Sequence, residues 1–177
     1  MSGPNRRRET PGVVVIHGTK KLLVRLGGAT PGPGERSTTA LGNWYATVLF
    51  WKPQVALFVN EPTLLPVLVP YAPSATVIDR FRTTVVAVLQ RHGLKHGFID
   101  HEVAEMAEHR LAKTENRSVV GVMNEFSYLG GRYRDPNSVN NLIELSLKLA
   151  ETPCGPLYNK HVSPDRELAA FATSYRS

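Results

Sequence analysis

The densest run of polar chemistry in the chain is Lys113-Thr114-Glu115-Asn116-Arg117-Ser118, set directly before an apolar pattern of helical period. A helix start leaves its first backbone N–H groups without intrahelical acceptors, and the macrodipole there favours negative charge. An arginine beside such a start adds a planar fork that matches two phosphate oxygens. Lys113, Asn116, Arg117 and Ser118 therefore outline an anion site. Gly121, in the first turn, costs about 1 kcal/mol relative to alanine and marks a position where another group is expected to approach closely. The same residues have plain structural uses: Ser118 as a helix cap, Asn116 in a turn, Arg117 in a pair with Glu115 or Glu125.

Two further segments carry chemistry. Lys20 and Lys21 follow Thr19 at a short helix start, and Asn60 and Glu61 sit in a turn with Thr63. Turn and cap chemistry explains both. Brought together with Arg117, they would form a basic, amide-lined pocket with one carboxylate, suited to phosphate or nucleic-acid binding or to general-base chemistry. Other signatures fail. His92, His96, His101 and His109 lie among Glu102, Glu105 and Glu108, but position 105 is glutamate where a zinc-protease helix needs its second histidine, so no metal is expected. The glycine-rich stretch 27–34 lacks a Gly-Lys-Ser/Thr ending, no Gly-x-Ser-x-Gly elbow occurs, and no cofactor is expected. Cys154 has His161 nearby but no orienting acid, and reads as a reduced structural thiol. Tyr45, Phe50, Trp51 and Phe58 fall on candidate strands, where rings beside basic residues stack bases if exposed; in so apolar a run, core packing is expected.

The elements that must position these groups follow from periodicity and turn residues. A chain of 177 residues with 42% apolar and 20% charged residues has the composition of a soluble globular domain. Residues 1–12 read as a disordered leader and 13–177 as one domain. Val13 to Ile16 suits a buried strand, Thr19 to Leu26 a short helix ended by Gly27-Gly28, and 27–40 a mobile loop rich in glycine and proline. Trp44 to Trp51, Val55 to Asn60 and Leu64 to Val69 read as a three-stranded meander with proline in both turns. A helix from Ala75 to His92 buries Val77, Ile78, Phe81, Val85, Val88 and Leu89. Further helices are expected after Asp100, with Val103, Met106 and Leu111 inward; after Ser118, stopped by Gly130-Gly131; over 138–151; and from Ser163-Pro164-Asp165. Strands gathered early and helices late predict an α+β fold: a small, mostly antiparallel sheet with four to five helices packed on one face.

Net charge is +6, and residues 1–40 supply +5 of it through Arg6, Arg7, Arg8, Lys20, Lys21, Arg25 and Arg36 against Glu9 and Glu35. Such asymmetry suits a nucleic-acid partner, although Arg6-Arg7-Arg8 in a Pro/Gly-rich leader also suits a solvated tail. The single cysteine excludes an intramolecular disulfide and fits a reducing compartment, so a cytoplasmic location is expected. The apolar stretch from Trp44 to Ala72 is broken by Lys52, Glu61 and four prolines, which excludes one membrane-spanning helix.

Four blocks together resemble an uncharacterised bacterial domain family of unknown function: Gly18-Thr19-Lys20-Lys21-Leu22, the stretch Leu41 to Ala46 (LGNWYA), Leu57 to Thr63 (LFVNEPT), and Ala112 to Phe126 (AKTENRSVVGVMNEF). The resemblance spans most of residues 13–130. It implies bacterial origin and a shared fold, and brings no activity, cofactor or catalytic residue. The residues themselves point to a small regulatory module that binds nucleic acid or a phosphorylated ligand at a basic helix start. Two alternatives stand beside it. One is a phosphodiester hydrolase or transferase using Glu61 or a histidine as base; the other is a protein-binding partner in a toxin–antitoxin or mobile-element system. The oligomeric state is not readable.

Overall fold

The computed structural model describes residues 10–29, 35–135 and 141–175. The expected leader falls outside these residues up to position 9, as do 30–34 of the Gly/Pro-rich loop. Val13-Val14-Val15-Ile16 is apolar without alternation, the pattern of a strand covered on both faces. It forms β1 (Val13–Gly18), all six residues of which are buried. β2 (Trp44–Leu49), β3 (Val55–Asn60), β4 (Pro66–Pro70) and β5 (Glu108–Lys113) complete one sheet in the order β4-β3-β2-β1-β5.

The expected meander is present as β2, β3 and β4, with Tyr45 opposite Val59 and Phe58 opposite Val67. The sheet as a whole is mixed, which corrects the mostly antiparallel expectation. β1 runs parallel to β2, with His17 opposite Tyr45, and parallel to β5, with Ile16 opposite Leu111. β5 occupies positions expected to be the tail of a helix. Its sequence, Glu-His-Arg-Leu-Ala-Lys, has no β-branched residue and buries only Leu111. Pairing with β1, rather than intrinsic preference, gives it strand form, and its charges suit an edge.

Among the described residues six α-helices surround the sheet: α1 (Lys20–Arg25), α2 (Val77–Arg91), α3 (His96–Ala104), α4 (Arg117–Tyr133), α5 (Leu142–Leu149) and α6 (Pro164–Ser174). They cover both faces, not one. Val14, Ile16, Trp44, Phe58 and Val67 pack with Leu22 of α1, Phe81 of α2, Ile99 of α3 and Leu168 of α6. Tyr45, Leu57, Val59 and Leu68 pack with Met123 and Phe126 of α4 and Leu149 of α5. Strands apolar at every position need a layer on each side. Helix α4 also runs through its expected stop. A Cβ at Gly130 would come within 3.0 Å of the Trp51 ring, so this glycine lets the indole lie against the helix.

One buried acid ties the layers to the crossover between β1 and β2. Glu102 of α3 is fully buried, and its two oxygens accept the N–H groups of Ala40 at 2.8 Å and Leu41 at 3.1 Å. Burial raises its carboxyl to about 7, outweighing the two N–H bonds that favour the anion. A raised carboxyl binds its proton more tightly in the folded chain than in the unfolded one. Its contribution to stability is therefore complete below its usual value of 4.5 and is lost as pH rises through about 7. Across that window, urea titrations should show the wild type losing stability relative to Glu102→Gln, whose amide does not titrate. Parallel profiles would show that Glu102 stays ionised throughout.

Candidate functional site

Where β5 ends, the chain folds back over Tyr45. The phenol oxygen accepts the N–H of Asn116 at 2.9 Å and of Glu115 at 3.4 Å. Burial, followed by the nearby Glu61 carboxylate, raises the phenol and keeps it protonated. Asn116 is the true cap of α4: its side-chain oxygen accepts the N–H groups of Ser118 at 3.0 Å and Val119 at 3.4 Å. Its carbonyl takes Val120 N–H at 3.2 Å, and its amide reaches Glu61 Oε2 at 3.4 Å. Ser118 is thus a first-turn residue, and the donors of residues 118–120 already have acceptors. Lys113, Arg117 and Ser118 are exposed, and nothing in the described chain approaches the Cβ position of Gly121 within 4 Å.

The residue that sequence reasoning passed over is His17, a polar side chain at the end of an apolar strand. Its ring stacks on Tyr45 at 4.7 Å, and Nδ1 donates to the Lys113 carbonyl at 2.7 Å. Asn43 accepts the Ser37 N–H and hydroxyl through Oδ1, which leaves its amide to donate to His17 Nε2 at 3.4 Å. Both ring nitrogens are engaged, so this corner holds the 113–116 segment on the sheet and has no imidazole lone pair free for proton abstraction.

Asn60 is separated from that corner by burial. Its amide donates to the carbonyls of Leu41 at 2.9 Å and Asn43 at 3.3 Å, while its oxygen accepts from Thr63 N at 3.2 Å and Thr63 Oγ1 at 2.8 Å. It therefore shapes the β3–β4 turn. Of the sequence-predicted residues, the fold brings together Glu61, Asn116 and the Lys113 backbone, with Arg117 and Ser118 next in the chain.

Lys20 and Lys21 belong to a different surface. Thr19 fixes the start of α1 to β2 through its N–H to Ala46 O at 3.0 Å and its hydroxyl to Thr47 at 2.9 Å. Lys20, Lys21, Val24 and Arg25 then line a shallow hollow of about 640 Å³ with Phe50. Phe50 corrects the core expectation: β2 ends at Leu49, and the Phe50 ring is 55% exposed. Lys21 Nζ lies 5.3 Å and the Arg25 guanidinium carbon 5.0 Å from its centroid, and Arg25 also lies 5.8 Å from Tyr71. Ion pairs among the described residues lie elsewhere, at Arg82–Asp79, Arg91–Glu144, Arg110 with Glu35 and Glu108, and His161–Glu167.

Cys154 is buried, and burial pushes its thiol up to about 12, so it offers no thiolate. Among the described residues no three His, Cys, Asp or Glu side chains gather to hold a metal, and no helix is long and apolar enough to cross a membrane.

An α+β domain with helices on both faces of a mixed sheet, a bolted polar corner and a basic aromatic hollow is thus the class to which this chain belongs. By family, it belongs to the one described as Domain of unknown function (DUF6933), whose model matches residues 15–167. No curated protein and no solved structure matches the chain.

The division between the turn and the exposed surface is open to measurement. Asn60→Ala strips the partners from buried carbonyls and from the Thr63 donors, and should cost about 2–3 kcal/mol in chemical denaturation. A loss below about 0.5 kcal/mol would show that the turn holds without it.

Proposed function

We propose that this domain binds nucleic acid, with α1 supplying phosphate contacts and Phe50 a platform for an unpaired base. The observation that carries the reading is the exposed Phe50 ring with two cations held against it. An exposed aromatic ring flanked by cations is the arrangement on which an unpaired base stacks, since every nucleobase offers a π-face. Lys20, Lys21 and Arg25 stand at the rim of the same hollow, where phosphates flanking a stacked base would pass. Lys20 and Lys21 were chosen from the sequence for anion binding; Arg25 and Phe50 complete the set.

Fluorescence anisotropy with a labelled single-stranded oligonucleotide tests this. Binding should fall steeply with salt. Phe50→Ala should weaken it by about 1–3 kcal/mol with the melting temperature unchanged, and Lys21→Glu with Arg25→Glu should reduce the salt slope. No salt-sensitive binding would end the proposal. Loss on Arg117→Ala with none on Phe50→Ala would move the site to the start of α4.

A further inference from the structure

Resting on that reading, we infer that the ligand is a single strand which turns around the β2–β3 hairpin tip from the α1 surface onto a second basic aromatic surface at the C-terminal end of α4. The six cation–ring contacts of the described residues fall into two groups. Three belong to Phe50 and Tyr71 on the α1 side. The other three belong to α4 and its neighbours: Arg134 lies 4.7 Å from the Trp51 ring, Lys148 Nζ 4.1 Å from Tyr133, and Arg132 5.8 Å from Tyr128.

Phe50 and Trp51 are consecutive residues at the hairpin tip, and they join the two groups. Tyr71, under Arg25, is part of the core on the α1 and α2 face, whereas Trp51 packs on the core of the α4 and α5 face. Trp51 has Gly130 against its ring and the half-buried Arg134 guanidinium over it. Beyond it, Tyr128 is 63% and Tyr133 42% exposed. Of the five exposed large apolar side chains among the described residues, Val24, Phe50, Tyr128 and Tyr133 all lie on these two surfaces, and only Tyr158 does not.

Charge complementarity selects the occupant. Each of these rings carries a cation, and an anionic chain that offers flat faces complements both, which a nucleic-acid strand does at every nucleotide. Geometry selects the single strand. The two surfaces lie on opposite faces of one sheet, and a duplex, stiff over about 150 bp, can lie on only one of them. A single strand bends between nucleotides and can occupy both.

The test is a length series. The full chain is titrated by anisotropy with single-stranded DNA and RNA of about 4, 8 and 16 nucleotides and with a blunt duplex of about 16 base pairs. The variants are Phe50→Ala and the double variant Tyr133→Ala/Arg134→Ala, and the folding of each is checked by thermal melting. Affinity should rise at least about 10-fold from the shortest to the longest strand. The shortest should respond to Phe50→Ala only, and the longest should lose about 10-fold or more with either variant. The duplex should bind more weakly than the longest strand. A flat length series, a neutral double variant on the longest strand, or duplex binding as tight as the strand would overturn the wrapped path while leaving the Phe50 surface in place. Failure of every oligonucleotide to bind would remove the underlying reading as well.

Discussion

Parallel pairing of β1 on both of its edges is the constraint from which the rest of the molecule follows. Antiparallel neighbours can be joined by a tight turn, but parallel neighbours cannot. The chain must therefore leave the sheet between β1 and β2, and α1 is what it builds there. It must leave again between β4 and β5, because β5 returns to the far side of β1. Helices α2 and α3 fill that second excursion. Enclosed in this way, β1 is apolar from Val13 to Ile16, and its one polar side chain, His17, lies at its end with both ring nitrogens hydrogen-bonded.

The Tyr45 phenol transmits that constraint to the surface. By accepting the N–H groups of Glu115 and Asn116, it sets where α4 starts, and Asn116 sets the helix's first turn. From that start the helix brings Gly130 against Trp51, so the fixed start of α4 delivers its basic, aromatic end to the hairpin tip. Thr19 does the same for α1 through Ala46 and Thr47. The exposed rings and cations are thus held by elements whose other ends are bolted to β2.

Local signals were readable and non-local ones were not. The span of β3, the buried stripe of α2 and the two prolyl turns of the meander depend on neighbours in sequence, and they are written there plainly. β5 is not, because nothing in Glu-His-Arg-Leu-Ala-Lys favours a strand until β1 lies beside it. The second helical layer had a legible trace, since Leu57, Phe58 and Val59 leave no polar face on β3. At the site, the polar run 113–118 marks a helix start, but whether Asn116 or Ser118 accepts the first donors depends on backbone geometry. Phe50 was hidden by its company: an apolar run conceals which residue is the first to turn outward. Asn60 looked like chemistry because its type is common in sites, and only its complete set of buried partners shows it to be architecture.

The grip of Glu102 on the Ala40 and Leu41 amides, together with β5 at the flank of β1, bears on how the chain is made. A ribosome releases β1, α1 and the whole meander long before residues 102–113 emerge. During that interval β1 can have at most one of its two neighbours, and an unpaired apolar edge is of the kind that recruits other chains. The buried end of the first crossover likewise lacks the acceptor that will satisfy it. Those contacts become available only after roughly forty further residues of elongation, about 2–8 s at ordinary synthesis rates, when α3 and β5 follow one another out of the ribosome.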